Sequence, residues 1–179
     1  MILLRSEARP TQAWKNGAGI TQTVLVDQDL QPGWRVSVAA IDRDAPFSVF
    51  PGMDRFLAPL TPYGIQLAIG DQRIHVPQYS VAKFDGGEKS ACMGVVEAGR
   101  DLNLMVDRHL WRGSIMAMQV EVQASIPSTT DGETIVFAPA GGIQTELGPL
   151  GIDDAIALGS RDTSISGSAT ILIARVWPR

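Results

Sequence analysis

Two arginines and a serine in the middle of the chain have the chemistry of an anion-binding site. Arg35 and Ser37 share one face of an alternating stretch, and Arg55 follows in the next segment. A guanidinium presents a planar fork of N–H donors that matches a carboxylate, and a hydroxyl on the same strand face donates beside it. We therefore expect Arg35, Ser37 and Arg55 to converge on one polar pocket. Two alternatives stay open: a surface salt bridge between Arg35 and an acid such as Asp27, and a bracing of its own loop by Arg55 beside Asp54.

A glycine-containing loop near the N-terminus adds further groups that could contact a ligand. Trp14, Lys15 and Asn16 precede a Gly-Ala-Gly turn, and they supply an aromatic plane, a cation and an amide on a backbone that can approach a ligand closely. The alternative for Trp14 alone is packing in the core, which is where large aromatic side chains mostly lie. Phe47 and Phe50 are likewise expected to pack rather than to bind.

A third polar group falls near residue 100. Asn103 is expected to reach the same pocket, because Leu102 and Leu104 fall on the opposite strand face and are expected to be core residues. Asp101, beside Arg100, is interpreted as structural.

Other common kinds of site lack the residues they need. The chain has only His75 and His109, and the nearest acid to His109 is Asp107, so we expect no bound metal and no cofactor. Cys92 has no neighbouring histidine to lower its pKa, and no Gly-x-Ser-x-Gly elbow is present. The turn after Asn16 lacks the Lys-Ser/Thr ending of a phosphate-binding loop.

The elements that position these residues are predicted to be short strands. Residues 34–41 alternate as a strand with Arg35 and Ser37 on one face, which is typical of a face turned to solvent or to a wet cavity. Residues 42–44 form a polar break, and Pro46 is expected to end regular pairing. Residues 47–50 are expected to be a second short extended piece, which leaves Arg55 in a compact loop.

The remainder of the chain repeats a pattern of strand, glycine turn, alternating strand and strand. This pattern is what a duplicated antiparallel barrel would produce, although any all-β protein shows such runs by chance. With 18 Gly and 11 Pro between frequent short strands, the chain is predicted to be all-β, a jelly roll or barrel. The predicted strands are 64–70, 72–76 and 79–84 in the first copy, 134–139, 143–147 and 154–158 in the second, and a buried closing strand at 169–177.

Composition limits the classes of partner. A net charge of -4 without a cluster of Lys and Arg argues against nucleic acid. The apolar run at residues 1–4 is too short for a signal peptide or a membrane span, and the single Cys92 favours a compartment that keeps thiols reduced. We therefore expect a cytoplasmic protein with neither nucleic acid nor membrane among its partners.

Three motifs, taken together, resemble the HutD/Ves family. They are Trp14-Lys15-Asn16-Gly17-Ala18-Gly19-Ile20-Thr21, the pair Trp34-Arg35-Val36-Ser37 and Pro46-Phe47-Ser48-Val49-Phe50-Pro51-Gly52-Met53-Asp54-Arg55, and Gly99-Arg100-Asp101-Leu102-Asn103-Leu104-Met105. They cover about the first hundred residues, in the family's order and spacing. One departure is Ala18, where the family usually has a third consecutive glycine.

The resemblance implies a cupin-like double-stranded β-helix, with two barrel halves in one chain. We expect residues 1–123 to form an N-terminal barrel that carries the motifs, residues 124–133 a polar loop, and residues 134–179 a second half packed in the same globular unit. The predicted ligand-binding residues are Lys15, Asn16, Thr21, Arg35, Ser37, Arg55 and Asn103.

The resemblance also implies a role in histidine utilisation for the HutD branch, as an accessory or regulatory factor, and in environmental stress for the Ves branch. Pathway intermediates such as urocanate and formiminoglutamate carry the carboxylates that the predicted pocket would bind. The leading hypothesis is therefore a binding protein for a small anionic metabolite, without chemistry of its own.

Two other classes of function stay open. One is a metal-independent isomerase or hydrolase acting on a similar acid, with Asp27, Asp54 or His75 as its general base. The other is an interaction module that forms a homodimer through exposed edge strands or through the apolar run at residues 171–176.

Overall fold

The computed structural model describes residues 1–14, 17–27 and 33–179. Its residues form two compact units, one of Pro10–Trp111 and one of Met1–Arg9 with Arg112–Arg179. The predicted domain limits at residues 123 and 133 stay a prediction. No α-helix occurs among the described residues, and thus no helix there is long and apolar enough to cross a membrane.

Nineteen strands and one short 3₁₀ turn at Ser6–Ala8 make up the described secondary structure. The strands are, in chain order, β1 (Ile2–Leu4), β2 (Thr11–Ala13), β3 (Gly19–Val26), β4 (Trp34–Ile41), β5 (Ala45–Pro46), β6 (Met53–Pro59), β7 (Ile65–Ile69), β8 (Gln72–Val76), β9 (Ala82–Asp85), β10 (Ser90–Met93), β11 (Gly99–Asp107), β12 (Trp111–Val120), β13 (Gln123–Ile126), β14 (Glu133–Ala138), β15 (Ile143–Thr145), β16 (Gly148–Leu150), β17 (Asp154–Ala157), β18 (Thr163–Gly167) and β19 (Ala169–Pro178).

The Pro10–Trp111 unit, which we call the central unit, contains a six-stranded and a four-stranded sheet. Their strand orders are β2-β3-β4-β11-β6-β9 and β5-β10-β7-β8. The strand predicted at residues 34–41 is confirmed with the same limits. In this unit the apolar side chains of both sheets pack into one core, whose buried members are Ile41, Phe47, Leu57, Leu67, Val76, Ala82, Phe84 and Cys92.

The segment between the polar break and Arg55 differs from its prediction at both ends. Pro46 pairs with Ala91 in β5, and a proline is tolerated there because β5 is an edge strand. The extended piece predicted at residues 47–50 is not a strand, although the N–H of Phe47 donates to the carbonyl oxygen of Ser90. Arg55 lies on β6 rather than in a loop.

The second unit, Met1–Arg9 with Arg112–Arg179, also contains two antiparallel sheets. Their orders are β1-β17-β14-β19-β12 and β13-β18-β15-β16. The loop predicted at residues 124–133 is wrong at its start, because Gln123–Ile126 pairs with β18 and buries Ile126. The run at residues 171–176 lies in β19, between β14 and β12, so its backbone is paired within the chain rather than available at an edge.

We expect two glycines to differ in their tolerance of alanine. Gly64 and Gly94 have similar positive φ angles, +66° and +63°, but a Cβ on Gly64 would lie 2.2 Å from the Val76 carbonyl oxygen, while one on Gly94 would meet nothing within 4 Å. Gly94→Ala should therefore cost only the conformational term of about 1–2 kcal/mol, and Gly64→Ala clearly more. Urea denaturation of both variants measures the two losses, and equal losses would contradict the close approach of the two backbone segments.

Candidate functional site

The central unit contains a polar cavity of about 350 Å³, which is the size of a small-molecule site. Strands of the six-stranded sheet form one side, and residues 47–50 form another. The lining residues are Gln12, Ala13, Trp14, Thr21, Arg35, Ser37, Ala39, Phe47, Ser48, Val49, Phe50, Arg55, Asn103 and Met105.

Strand register places the polar side chains of this cavity side by side. Arg35 on β4 lies opposite Met105 on β11, and Met105 lies opposite Arg55 on β6. Two residues further along, Ser37 lies opposite Asn103. Because alternate residues share a strand face, Arg35 and Ser37 point to the same side of the sheet, as do Met105 and Asn103.

The structure brings five of the predicted site residues to this cavity: Thr21, Arg35, Ser37, Arg55 and Asn103. The other two, Lys15 and Asn16, lie outside the described residues. The contribution of all seven to ligand binding stays a prediction.

The aromatic residues near the cavity pack and line it at the same time. Trp14 and Phe47 meet edge to face, with ring centroids 5.8 Å apart, and Trp14 packs against the core of the unit. The Nε1 of Trp14 donates a 2.7 Å hydrogen bond to the Oγ1 of Thr21. Ala18, the position that departs from the family pattern, is buried and has no positive φ angle, so alanine fits its backbone.

Arg55 is the most enclosed cation of the cavity, with only 6% of its surface exposed. Its guanidinium carbon lies 5.0 Å from the ring centre of Phe84, 5.1 Å from that of Phe47 and 5.9 Å from that of Phe50, within cation–π range of each. Burial lowers the pKa of Arg55 to about 10, and nearby Arg35 adds to the decrease, while Asp101 opposes it. The side chain is therefore charged at neutral pH.

The hydrogen bonds of Arg55 leave most of its donors unused. Its Nη2 donates to the Oδ1 of Asn103 at 3.1 Å, but its buried Nε and Nη1 find no acceptor in the described part of the chain. The buried Nε of Arg35 has no partner among the described residues either, and the guanidinium of Arg35 lies 6.0 Å from the ring centre of Phe50. Burial lowers the pKa of Arg35. Unpaired buried donors on cations are costly, and an anion that accepts from them would reduce this cost.

Asp101 is a residue whose importance our sequence interpretation missed. It is completely buried on β11, two residues before Asn103 and on the same strand face. The Nδ2 of Asn103 donates a hydrogen bond to the Oδ1 of Asp101. Its Oδ2 has no hydrogen-bond partner among the described residues. Burial raises the pKa of Asp101 to about 7, against the opposing effects of Arg55 and of the Asn103 hydrogen bond. The two-residue alternation that predicts Asn103 on the cavity side of its strand also predicts Asp101 on that side, so this pattern is the signal that identifies the residue.

The three predicted general bases lie elsewhere. Asp27 is buried just beyond β3, and Asp54 pairs with Arg108 at 3.2 Å and with Lys83 at 3.6 Å. His75 is exposed on β8, with its Nδ1 3.3 Å from the Nε2 of Gln66. None of the three lines the polar cavity. Within residues 1–14, 17–27 and 33–179, no group of three His, Cys, Asp or Glu side chains could hold a metal ion.

A second cavity, of about 230 Å³, lies in the same unit. Its lining includes Cys92, His75, Glu97 and Arg100 together with Asp101. Burial raises the pKa of the Cys92 thiol to about 11, so this cysteine is a protonated core residue rather than a nucleophile.

The sequence of the chain matches the family model described as HutD over residues 6–174. The chain is also 28% identical over 170 residues to an uncharacterised 21.2 kDa protein from the hutC 3′ region of Pseudomonas putida, a match that covers 89% of this chain and 87% of that protein.

The fold is similar to that of two solved structures. HutD from Pseudomonas fluorescens SBW25 matches with a TM-score of 0.86 at 21% identity, over 99% of this chain and 98% of that one. A cupin 2 conserved barrel domain protein from Leptotrichia buccalis matches with a TM-score of 0.56 at 7% identity, over 99% and 96%. These likenesses confirm the predicted all-β, cupin-like fold.

The buried carboxyl group predicts a pH-dependent difference in stability between the native protein and Asp101→Asn. The pKa of Asp101 is about 7 in the folded protein and 3.8 as its ordinary value, so between these two pH values only the folded state keeps the proton. The stabilisation of the folded state that this raised pKa gives is complete below pH 3.8 and is lost as the pH rises to about 7. Over that window, the free energy of unfolding of the native protein should fall relative to Asp101→Asn by up to about 1.4 kcal/mol per pH unit.

Urea denaturation at pH 5, 6 and 7 measures this difference. Asp42→Asn is the matched control, because it removes the same charge from an exposed carboxylate paired with Arg43. A free-energy difference for Asp101→Asn that stays constant over this range would show that Asp101 is ionised in the folded protein throughout.

Proposed function

Because the chain belongs to the HutD family, we propose that it binds a small carboxylate metabolite and acts as an accessory or regulatory factor of histidine utilisation. The family is linked to histidine-utilisation genes, and the relative from P. putida is encoded beside hutC. The chemistry of the ligand is inferred from the cavity, and the regulatory role from the family.

One observation carries the choice of a carboxylate: two nitrogen atoms of the buried Arg55 guanidinium, Nε and Nη1, have no acceptor among the described residues. Arg55 lines the cavity together with Arg35. A guanidinium fork and a carboxylate form two parallel charge-assisted hydrogen bonds, which are stronger in a site that excludes water. A neutral ligand would leave at least one of the two neighbouring cations uncompensated.

The apolar walls of the cavity support a ligand with a flat, unsaturated part. Trp14, Phe47 and Phe50 line the cavity beside Ser37 and Asn103, so aromatic surface lies next to polar groups. A ring or a conjugated chain can stack on such surface while its carboxylate contacts the arginines. Urocanate has this combination, and formiminoglutamate offers carboxylates without the ring.

A purely binding role fits the cavity better than turnover does. The predicted bases Asp27, Asp54 and His75 do not line it, so an enzyme built on any of them would need its substrate elsewhere. Turnover of one of these acids by metal-stripped protein would contradict a role limited to binding.

We expect Arg35→Ala to weaken binding of the cognate acid by about ten- to a hundredfold, since a hydrogen bond to a charged group contributes about 1.5–3 kcal/mol. Arg35 is chosen because it is less buried than Arg55, so its removal perturbs the fold less. Isothermal titration against urocanate, formiminoglutamate, formylglutamate and histidine measures the dissociation constants.

Two further variants make this result specific. Arg73→Ala removes an exposed arginine of β8 outside the cavity and should bind like the native protein. Arg35→Lys keeps the charge without the planar fork and should have intermediate affinity. If Arg35→Ala binds every acid as tightly as the native protein does, the assignment of this cavity as the ligand site is wrong.

A further inference from the structure

The polar cavity is connected to a buried carboxyl group by a chain of three side chains. The Nη2 of Arg55 donates to the Oδ1 of Asn103, and the Nδ2 of Asn103 donates to the Oδ1 of Asp101. Arg55 and Asn103 line the polar cavity, whereas Asp101 lines the second cavity. A change of charge on the ligand side of Arg55 is therefore felt at Asp101.

The groups facing Asp101 leave it little other compensation. Arg55 on β6 is the cation that stabilises its ionised form, and Cys92 on β10 is a protonated thiol. Its β4 and β6 partners in the sheet are Ala39 and Pro59, which cannot carry charge. On the second cavity lie His75, Glu97 and Arg100.

The charges of the cavity balance in two different ways. When Asp101 is ionised, it neutralises one of the two arginines, and a ligand with one carboxylate neutralises the other. When Asp101 is protonated, both arginines require compensation, and a ligand with two carboxylates supplies it. Because an uncompensated charge in a buried site is costly, each charge state of Asp101 selects one charge class of ligand.

We propose that Asp101 is a positioning residue that determines the charge of the ligand, taking up a proton when the two arginines bind a dicarboxylate and staying ionised when they bind a monocarboxylate. This inference rests on the proposed function, because it assumes that carboxylates bind at Arg35 and Arg55. Protonation of Asp101 releases Arg55 from its long-range attraction to that carboxylate and leaves its unpaired Nε and Nη1 to the ligand.

The second cavity makes this proton exchange possible while the ligand site is occupied. Asp101 lines that cavity, and so do Tyr63 and Glu97 at the protein surface, where Tyr63 is 68% exposed. We therefore expect the proton to exchange through this second cavity, because Asp101 lines it and does not line the ligand site.

The two classes of ligand are compared with glutarate and pentanoate, which have the same number of carbon atoms and differ in one carboxylate. Titration calorimetry of the full chain at pH 6, 7, 8 and 9, in buffers of different ionisation enthalpy, measures both affinity and proton uptake. Glutarate binding should take up protons above pH 7, and its dissociation constant should rise by up to about tenfold per pH unit. The affinity for pentanoate should be nearly constant from pH 8 to pH 9 and should fall towards pH 6, where Asp101 must lose its proton for a monocarboxylate to bind.

Asp101→Asn separates this role from a structural one. The amide resembles the protonated carboxyl group, so glutarate should bind this variant without proton uptake and with an affinity that does not depend on pH. Asp42→Asn, the exposed control, should keep the native pH dependence. A second measurement needs no variant at this buried position: it follows the ¹³Cγ resonance of Asp101 in the native protein, and saturating glutarate should raise the pKa read from it.

The outcomes distinguish this inference from the proposed function. If pentanoate or a pathway acid binds but glutarate does not bind even at pH 6, or binds without proton uptake and without moving the Asp101 pKa, the inference is wrong and the proposed function stands. If none of the acids binds at any pH, both are wrong.

Discussion

The burial of one guanidinium group, that of Arg55, is the interaction on which the candidate site depends. A cation without water requires compensation, and the fold provides three kinds: the faces of Phe47, Phe50 and Phe84, the amide oxygen of Asn103 and the long-range charge of Asp101. These still leave its Nε and Nη1 without acceptors in the described residues. The site is thus assembled around a positive charge that the chain itself satisfies only in part.

Strand register explains why these groups meet. β11 lies between β4 and β6, so the partners of Met105 are Arg35 on one side and Arg55 on the other. β9 then brings Phe84 opposite Arg55. A shift of one residue in any of these pairings would turn the arginines to the other face of the sheet, so the register that builds the core also builds the cavity. Asp101 lies further along the same face of β11. Its carboxyl group is buried there, and Arg55 favours its ionised form.

The sequence was sufficient for features that depend on local alternation. The limits of β4, the shared face of Arg35 and Ser37, and the opposite placement of Leu102 and Asn103 all follow from a period of two residues. It was insufficient where distant strands decide the outcome. The charges and the Pro-Gly pair near Arg55 predict a loop, whereas its strand is stabilised by pairing with β9 and β11. The neighbouring Arg100 favours a structural role for Asp101, because the sequence does not show the packing by other elements that buries this carboxyl group.

The most direct test of an anion site at Arg35 and Arg55 is the ¹H–¹⁵N spectrum of the arginine side chains during a titration with urocanate. We expect the Nε resonances of Arg35 and Arg55 to shift together along one saturation curve, because one ligand accepts hydrogen bonds from both. The Nε resonance of the exposed Arg73 should not move. If urocanate binds and saturates while the Arg35 and Arg55 resonances stay unchanged, the ligand lies elsewhere and the central claim is contradicted.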